Sequence, residues 1–123
     1  MARVLLIGTD DTAQPLLKNI LECAGHTVIM AGNFGEGCQY VGQWGADVVL
    51  TDFHNAASGV FQAIAHLRVG FPQVKILVLA TKGDVMDFLA VRAIGADDVL
   101  TQPLASNALL EAVDQALRGE DGT

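Results

Sequence analysis

The sequence predicts an α/β domain, a parallel sheet held between two layers of helices. Three observations lead there. Five short, β-branched apolar runs alternate strictly with longer segments of helical period. The runs are continuously hydrophobic rather than alternating, as strands covered on both faces must be. Glycine and proline punctuate the joins, and a β-α alternation repeated five times closes most simply as a parallel sheet. At 123 residues the chain has room for one such core and little more.

The strand runs are Val4 to Ile7, Thr27 to Met30, Asp47 to Leu50, Val74 to Leu79 and Asp98 to Leu100. Between the first two lies a helix with Thr12 as N-cap, Pro15 in its first turn, and Leu16, Leu17, Ile20 and Leu21 on one face; Gly25 stops it. The second helix is expected over roughly 36–44, and Gly35, Gly37 and Gly42 all lower its propensity. The third starts near Gly59, carries Val60, Phe61, Ile64 and Leu67, and breaks at Gly70-Phe71-Pro72. The fourth runs from Asp84 to Ile94 and stops at Gly95. The fifth follows Pro103, with Ala105 or Ser106 near its cap, and is expected to bury Leu109, Val113 and Leu117. Residues 1–118 then form the domain, and 119–123 a flexible tail or the start of a linker.

Composition excludes several classes. A net charge of −7 with only seven basic residues argues against direct nucleic-acid binding. No apolar run approaches the roughly 20 residues a membrane helix needs, and Val4 to Ile7 is too short for a signal sequence. Cys23 and Cys38 allow one disulfide or two free thiols; free thiols in a reducing cytoplasm are the simpler reading. His26, His54 and His66 show no metal-ligand spacing, and no Ser or Cys stands in a nucleophile-elbow context.

Right-handed crossovers gather the C-terminal strand ends on one edge, where α/β proteins place their sites. Three stretches on that edge resemble the receiver domains of response regulators in two-component signalling. Ala46 to Asp52 (ADVVLTD) resembles the strand ending on the phosphorylatable aspartate. Ile76 to Thr81 (ILVLAT) resembles the strand ending on the switch hydroxyl, and Gly95 to Leu104 (GADDVLTQPL) the run into strand five and its proline turn. The resemblance covers essentially the whole chain. It implies a flavodoxin-like (βα)5 three-layer sandwich with strand order 2-1-3-4-5.

The family's chemistry is phosphoryl transfer from a histidine kinase to a carboxylate, with Mg²⁺ and a lysine neutralising charge. Asp52 takes the phosphoacceptor position and Thr81 that of the switch hydroxyl; a strand-terminal Asp also caps loops in its own right. The implied metal ligands are Asp10, Asp52 and the backbone carbonyl of His54, yet Gly8 and Thr9 stand where the family has its acidic pair. Gln102 replaces the lysine, offering hydrogen bonds without charge. Lys82 is a candidate substitute cation, or an exposed loop lysine. Val99 stands where an aromatic switch is usual, and Ala56 where a proline is.

Two functional readings follow: an atypical or pseudo-receiver acting through protein–protein contact, and a working phosphoacceptor modified on Asp52. Neither is an enzyme beyond self-catalysed phosphoryl acceptance. The resemblance implies a histidine kinase or another signalling protein as partner, and homodimerisation through the helix 4, strand 5 and helix 5 face. Helix four is apolar around much of its circumference, so it is either packed deeply or presents Met86 or Val91 to a partner. Asp52-Phe53-His54 is also similar to the opening of a cobalamin-binding loop. That motif follows a first strand and needs glycine where Ala57 stands.

Overall fold

The computed structural model describes residues 2–7, 13–52, 60–81, 88–102 and 105–118. Its elements alternate as expected: β1 (Arg3–Ile7), α1 (Ala13–Cys23), β2 (Thr27–Ala31), α2 (Phe34–Trp44), β3 (Val48–Asp52), α3 (Val60–Gly70), β4 (Lys75–Thr81), α4 (Phe88–Ala93), β5 (Asp98–Gln102) and α5 (Ser106–Leu117). All strand pairs are parallel, in the order β2-β1-β3-β4-β5. β3 is therefore central.

Continuous strand hydrophobicity has a direct cause, because the two faces feed separate cores. Val4, Leu6, Leu50, Leu77 and Leu79 pack with Leu17 and Leu21 of α1 and with Leu109 and Val113 of α5. Leu5, Ile7, Val49, Ile76 and Val78 pack on the other side with Val41 of α2, Ile64 and Leu67 of α3 and Val91 of α4. Successive residues of one strand serve opposite cores, so neither parity is left polar. Each fully buried aliphatic side chain contributes roughly 1.5–3 kcal/mol.

Several expectations need correction. Leu16 is 62% exposed, while Leu17 and Leu21 are buried and Ile20 packs half-buried against the same core. Leu117 is 36% exposed, and Ala112 and Ala116 occupy the α5 contact instead, small residues that let the helix lie close. Val91 is fully buried in the second core and so cannot be part of a partner surface; Met86 lies outside the described residues. The expected start of helix four at Asp84 and the Thr12 cap also fall outside them.

α2 begins two residues before its expected start. The Asn33 Oδ1 accepts the Glu36 N–H at 2.9 Å, satisfying one of the orphan donors of the first turn. Gly45, with φ at 80°, closes the far end in the left-handed conformation and donates its N–H to the Val41 carbonyl. Gly37 is there for proximity: a Cβ added to it would lie 2.5 Å from Cδ1 and 2.9 Å from Cγ1 of Ile7.

That contact yields a prediction with an informative sign. In open space, Gly37→Ala would gain close to 1 kcal/mol of helix propensity. Here overpacking outweighs it, and a net loss on the order of 1 kcal/mol is expected in urea denaturation. Ile7→Val, which removes the Cδ1 methyl, should make the Gly37→Ala step less costly. A stabilised Gly37→Ala protein would show that α2 rides free of β1.

Candidate functional site

The described part of the expected site consists of three adjacent strand ends. β3 finishes on Asp52, β4 on Thr81 and β5 on Gln102. In register, Asp52 is level with Leu79, and Leu79 with Leu100; Thr81 and Gln102 stand level with each other two residues further on. The backbone thus brings the expected acceptor, the expected hydroxyl residue and the glutamine to one edge on neighbouring strands. Gly8, Thr9, Asp10, His54, Ala56 and Lys82 lie outside the described residues. Among those described, no three His, Cys, Asp or Glu residues cluster in a way that could hold a metal ion.

One residue escaped the sequence reading. Thr51 is the only buried polar or charged residue among those described, and its hydroxyl has no hydrogen-bond partner among them. It shares a register row with Ile7 on β1, Val78 on β4 and, through Val78, Val99 on β5. Val99 is half-buried against the second core, so the position lacking an aromatic ring is filled by a small aliphatic contact. The signal available in the sequence was a lone hydroxyl closing an otherwise aliphatic strand, Val48-Val49-Leu50-Thr51.

Other reactive groups serve elsewhere. Cys23 is an exposed free thiol, and Cys38 a half-buried one whose pKa is raised by burial, which disfavours its thiolate. His66 is exposed on α3. His26 works at the opposite end of the sheet: its Nδ1 accepts the Ala2 N–H at 3.1 Å. Burial, then the positive amino terminus, lowers its pKa below the ordinary 6.5, against an opposing pull from Asp114.

The folded state therefore prefers neutral His26, since a proton on Nδ1 would abolish the bond from Ala2. A pKa depressed on folding gives a contribution that is complete above about 6.5 and lost as pH falls through the folded value. The urea midpoint should accordingly drop between pH 7.5 and 5.5 by more in the native protein than in His26→Asn, whose amide oxygen can accept without titrating. Equal drops would assign the acid sensitivity to other groups.

An open parallel sheet with this strand order, covered on both faces and carrying a carboxylate residue at the end of its central strand, is the architecture of a receiver-type signalling domain. The response regulator receiver domain matches residues 4–114, and the chain belongs to that family. It is 31% identical over 121 residues to protein PilH of Pseudomonas aeruginosa, covering 97% of this chain and 100% of PilH. It is 28% identical to the transcriptional regulatory protein GlrR of Escherichia coli, covering 94% of this chain but only 26% of GlrR. A response regulator from Thermotoga maritima superposes with a TM-score of 0.83 at 26% identity, over 96% of this chain and 98% of that one. The flavodoxin-like fold and the receiver assignment therefore hold, and the chain is a receiver domain of two-component signalling. Receiver domains as a group are signalling modules that contact histidine kinases and other signalling proteins. No helix among the described residues is long and apolar enough to cross a membrane.

Proposed function

We propose that this chain is an atypical receiver, acting by protein–protein contact with weakened or absent phosphorylation of Asp52. The observation that carries the reading is Gln102. It ends β5 in register with Thr81, so the lysine position of the family is held by an uncharged amide. A phosphoaspartate carries about 1.5–2 negative charges and three acceptor oxygens, and its formation relies on cations nearby. Gly8 and Thr9 in place of the acidic pair weaken the second source of charge, the metal. If Mg²⁺ binds, its donors are Asp10, Asp52 and the His54 carbonyl, and it would supply charge neutralisation of the phosphoryl oxygens. Residues 1–118 form the functional unit, and residues 119–123 a flexible tail or the start of a linker. Its partner is a histidine kinase or another signalling protein in the cytoplasm, with self-association through α4, β5 and α5 and no direct nucleic-acid contact.

A second reading, a working phosphoacceptor, draws on Asp52 and Thr81 ending adjacent strands, the nucleophile and hydroxyl such a reaction needs. Intact mass after incubation with acetyl phosphate and Mg²⁺, alongside Asp52→Asn, separates the two. The atypical reading expects little or no gain of one phosphoryl group. Stoichiometric gain that vanishes in Asp52→Asn would replace it with the second.

A further inference from the structure

Leu117, expected in the core and found 36% exposed, opens onto a groove of about 590 Å³ at the N-terminal ends of β3 and β4. All strands run parallel, so this is the edge opposite Asp52, Thr81 and Gln102. Val41 of α2, the half-buried Phe71, Val74 and Leu117 of α5 give the groove its apolar lining. Val69, next to the lining residue Gly70, is 85% exposed. Two of the four large exposed hydrophobic residues among those described therefore line or border this one groove. Apolar surface gathered in one place marks an interaction site more than singly scattered residues do.

Positive charge gathers there as well. The chain has seven Lys and Arg residues against fourteen Asp and Glu, yet Arg3, Arg68, Lys75 and Arg118 all lie in or beside the groove. Lys75 lines it, and Arg118 follows Leu117. Arg3 Nη1 donates to the Trp44 carbonyl and comes within 3.5 Å of where a Cβ on the lining Gly45 would be. Arg68 Nη1 donates to the carbonyls of the lining Pro72 and Val74. Arg68 and Arg118 are paired with Asp97 and Asp114, whereas Arg3 and Lys75 have no ion-pair partner among the described residues. The carboxylate that lines the groove, Asp47, is engaged by the main chain: its Oδ2 accepts the Arg3 N–H at 2.9 Å. Two uncompensated cations beside one engaged carboxylate make this edge basic, on a chain of net charge −7.

We propose that the groove docks an extended acidic segment of a partner protein. Side chains of an extended segment alternate in direction. One set, apolar, packs on Phe71, Val74 and Leu117, while the other directs carboxylates to Lys75 and Arg3. Charge complementarity of this kind selects the partner and its orientation more than it sets raw affinity. The groove and Asp52 lie at opposite edges of the sheet, so the contact neither requires nor obstructs phosphorylation. It adds a second contact surface to the protein–protein reading above, and phosphoryl uptake from acetyl phosphate tests that reading separately.

The test is a ¹⁵N chemical-shift titration of the full chain with a blocked peptide of alternating glutamate and leucine, and with its lysine–leucine counterpart. The glutamate peptide should give saturable shifts at Asp47, Phe71, Gln73 and Lys75 that weaken as salt is added, and the lysine peptide should give none. Lys75→Glu should weaken the glutamate peptide about three- to tenfold. Lys75→Gln, a milder change that removes the charge alone, should weaken it less and serves if the first variant does not fold. No saturable shift in the native protein, equal response to both peptides, or undiminished binding by folded Lys75→Gln would overturn the proposal. Shifts at the same residues that grow with protein concentration alone would make the occupant a second copy of the chain and overturn it equally.

Discussion

Gln102→Lys should raise phosphoryl uptake on Asp52 from acetyl phosphate on the order of 10- to 100-fold. Removing one preorganised donor from a site where negative charge develops typically costs about 10²–10³ in rate. Restoring a cation should recover part of that, less than the whole because Gly8 and Thr9 leave the metal side unchanged. β5 already ends on this residue in register with Thr81, so the substitution needs no rearrangement of the backbone. Gln102→Met, similar in length but apolar, should bring no gain; that control separates charge from packing. Lys82 gives a second arm. If it substitutes for the missing cation, Lys82→Ala should depress the residual uptake of the native protein and matter much less when combined with Gln102→Lys. Uptake within twofold of native for Gln102→Lys would place the deficit elsewhere, and the Gly8 and Thr9 positions would be the next to restore.

How much of this was legible in advance differs by level. Strand identity was plain, because β-branched runs buried on both faces have no polar parity to confuse with a helix. Helix rotation was less so. The stripe Leu16, Leu17, Ile20, Leu21 spans a wider arc than the sheet covers, and only packing decides that Leu16 is the one left outside. α2 was hard for a different reason: Gly37 counts against a helix by propensity, yet it is what allows the helix to touch Ile7. Asn33 and Glu36 were a readable N-terminal signal that outweighs it. At the site, the ends of β3, β4 and β5 followed from the strand pattern, whereas the isolation of the Thr51 hydroxyl depends on neighbours from two other strands. Sequence could name Asp52, Thr81 and Gln102, and it could not say that the residue beside the first of them has no hydrogen-bond partner among the described residues.

At the opposite edge of the sheet, Asp97→Ala should cost about 1.5–3 kcal/mol of stability, the range for hydrogen bonds to charged groups. Asp97 lies in the Gly95-Ala96-Asp97-Asp98 stretch that carried the family resemblance, and its task is mechanical. Its Oδ2 accepts from the Ile76 N–H at 2.7 Å and from Arg68 Nη2 at 2.7 Å. The Asp97 N–H in turn donates to the Ile76 carbonyl at 2.7 Å. Arg68, near the end of α3, also donates to the carbonyls of Gly95, Pro72 and Val74. One guanidinium and one carboxylate thus tie α3, the start of β4 and the turn into β5 together. The side chains are 26% and 27% exposed, so solvent screens the pair and the penalty of a fully buried broken ion pair does not apply. The larger loss is the Ile76 N–H, left without its acceptor at the start of β4. Asp97→Asn, which keeps an acceptor oxygen, should fall between native and Asp97→Ala. Urea denaturation of Asp97→Ala, Arg68→Ala and the double variant should show a coupling of about 0.5–3 kcal/mol. A cost below about 0.5 kcal/mol for Asp97→Ala would reduce the pair to an ordinary surface ion pair, and the joint between α3 and β4 would then rest on apolar packing of Leu67, Val74 and Ile76 alone.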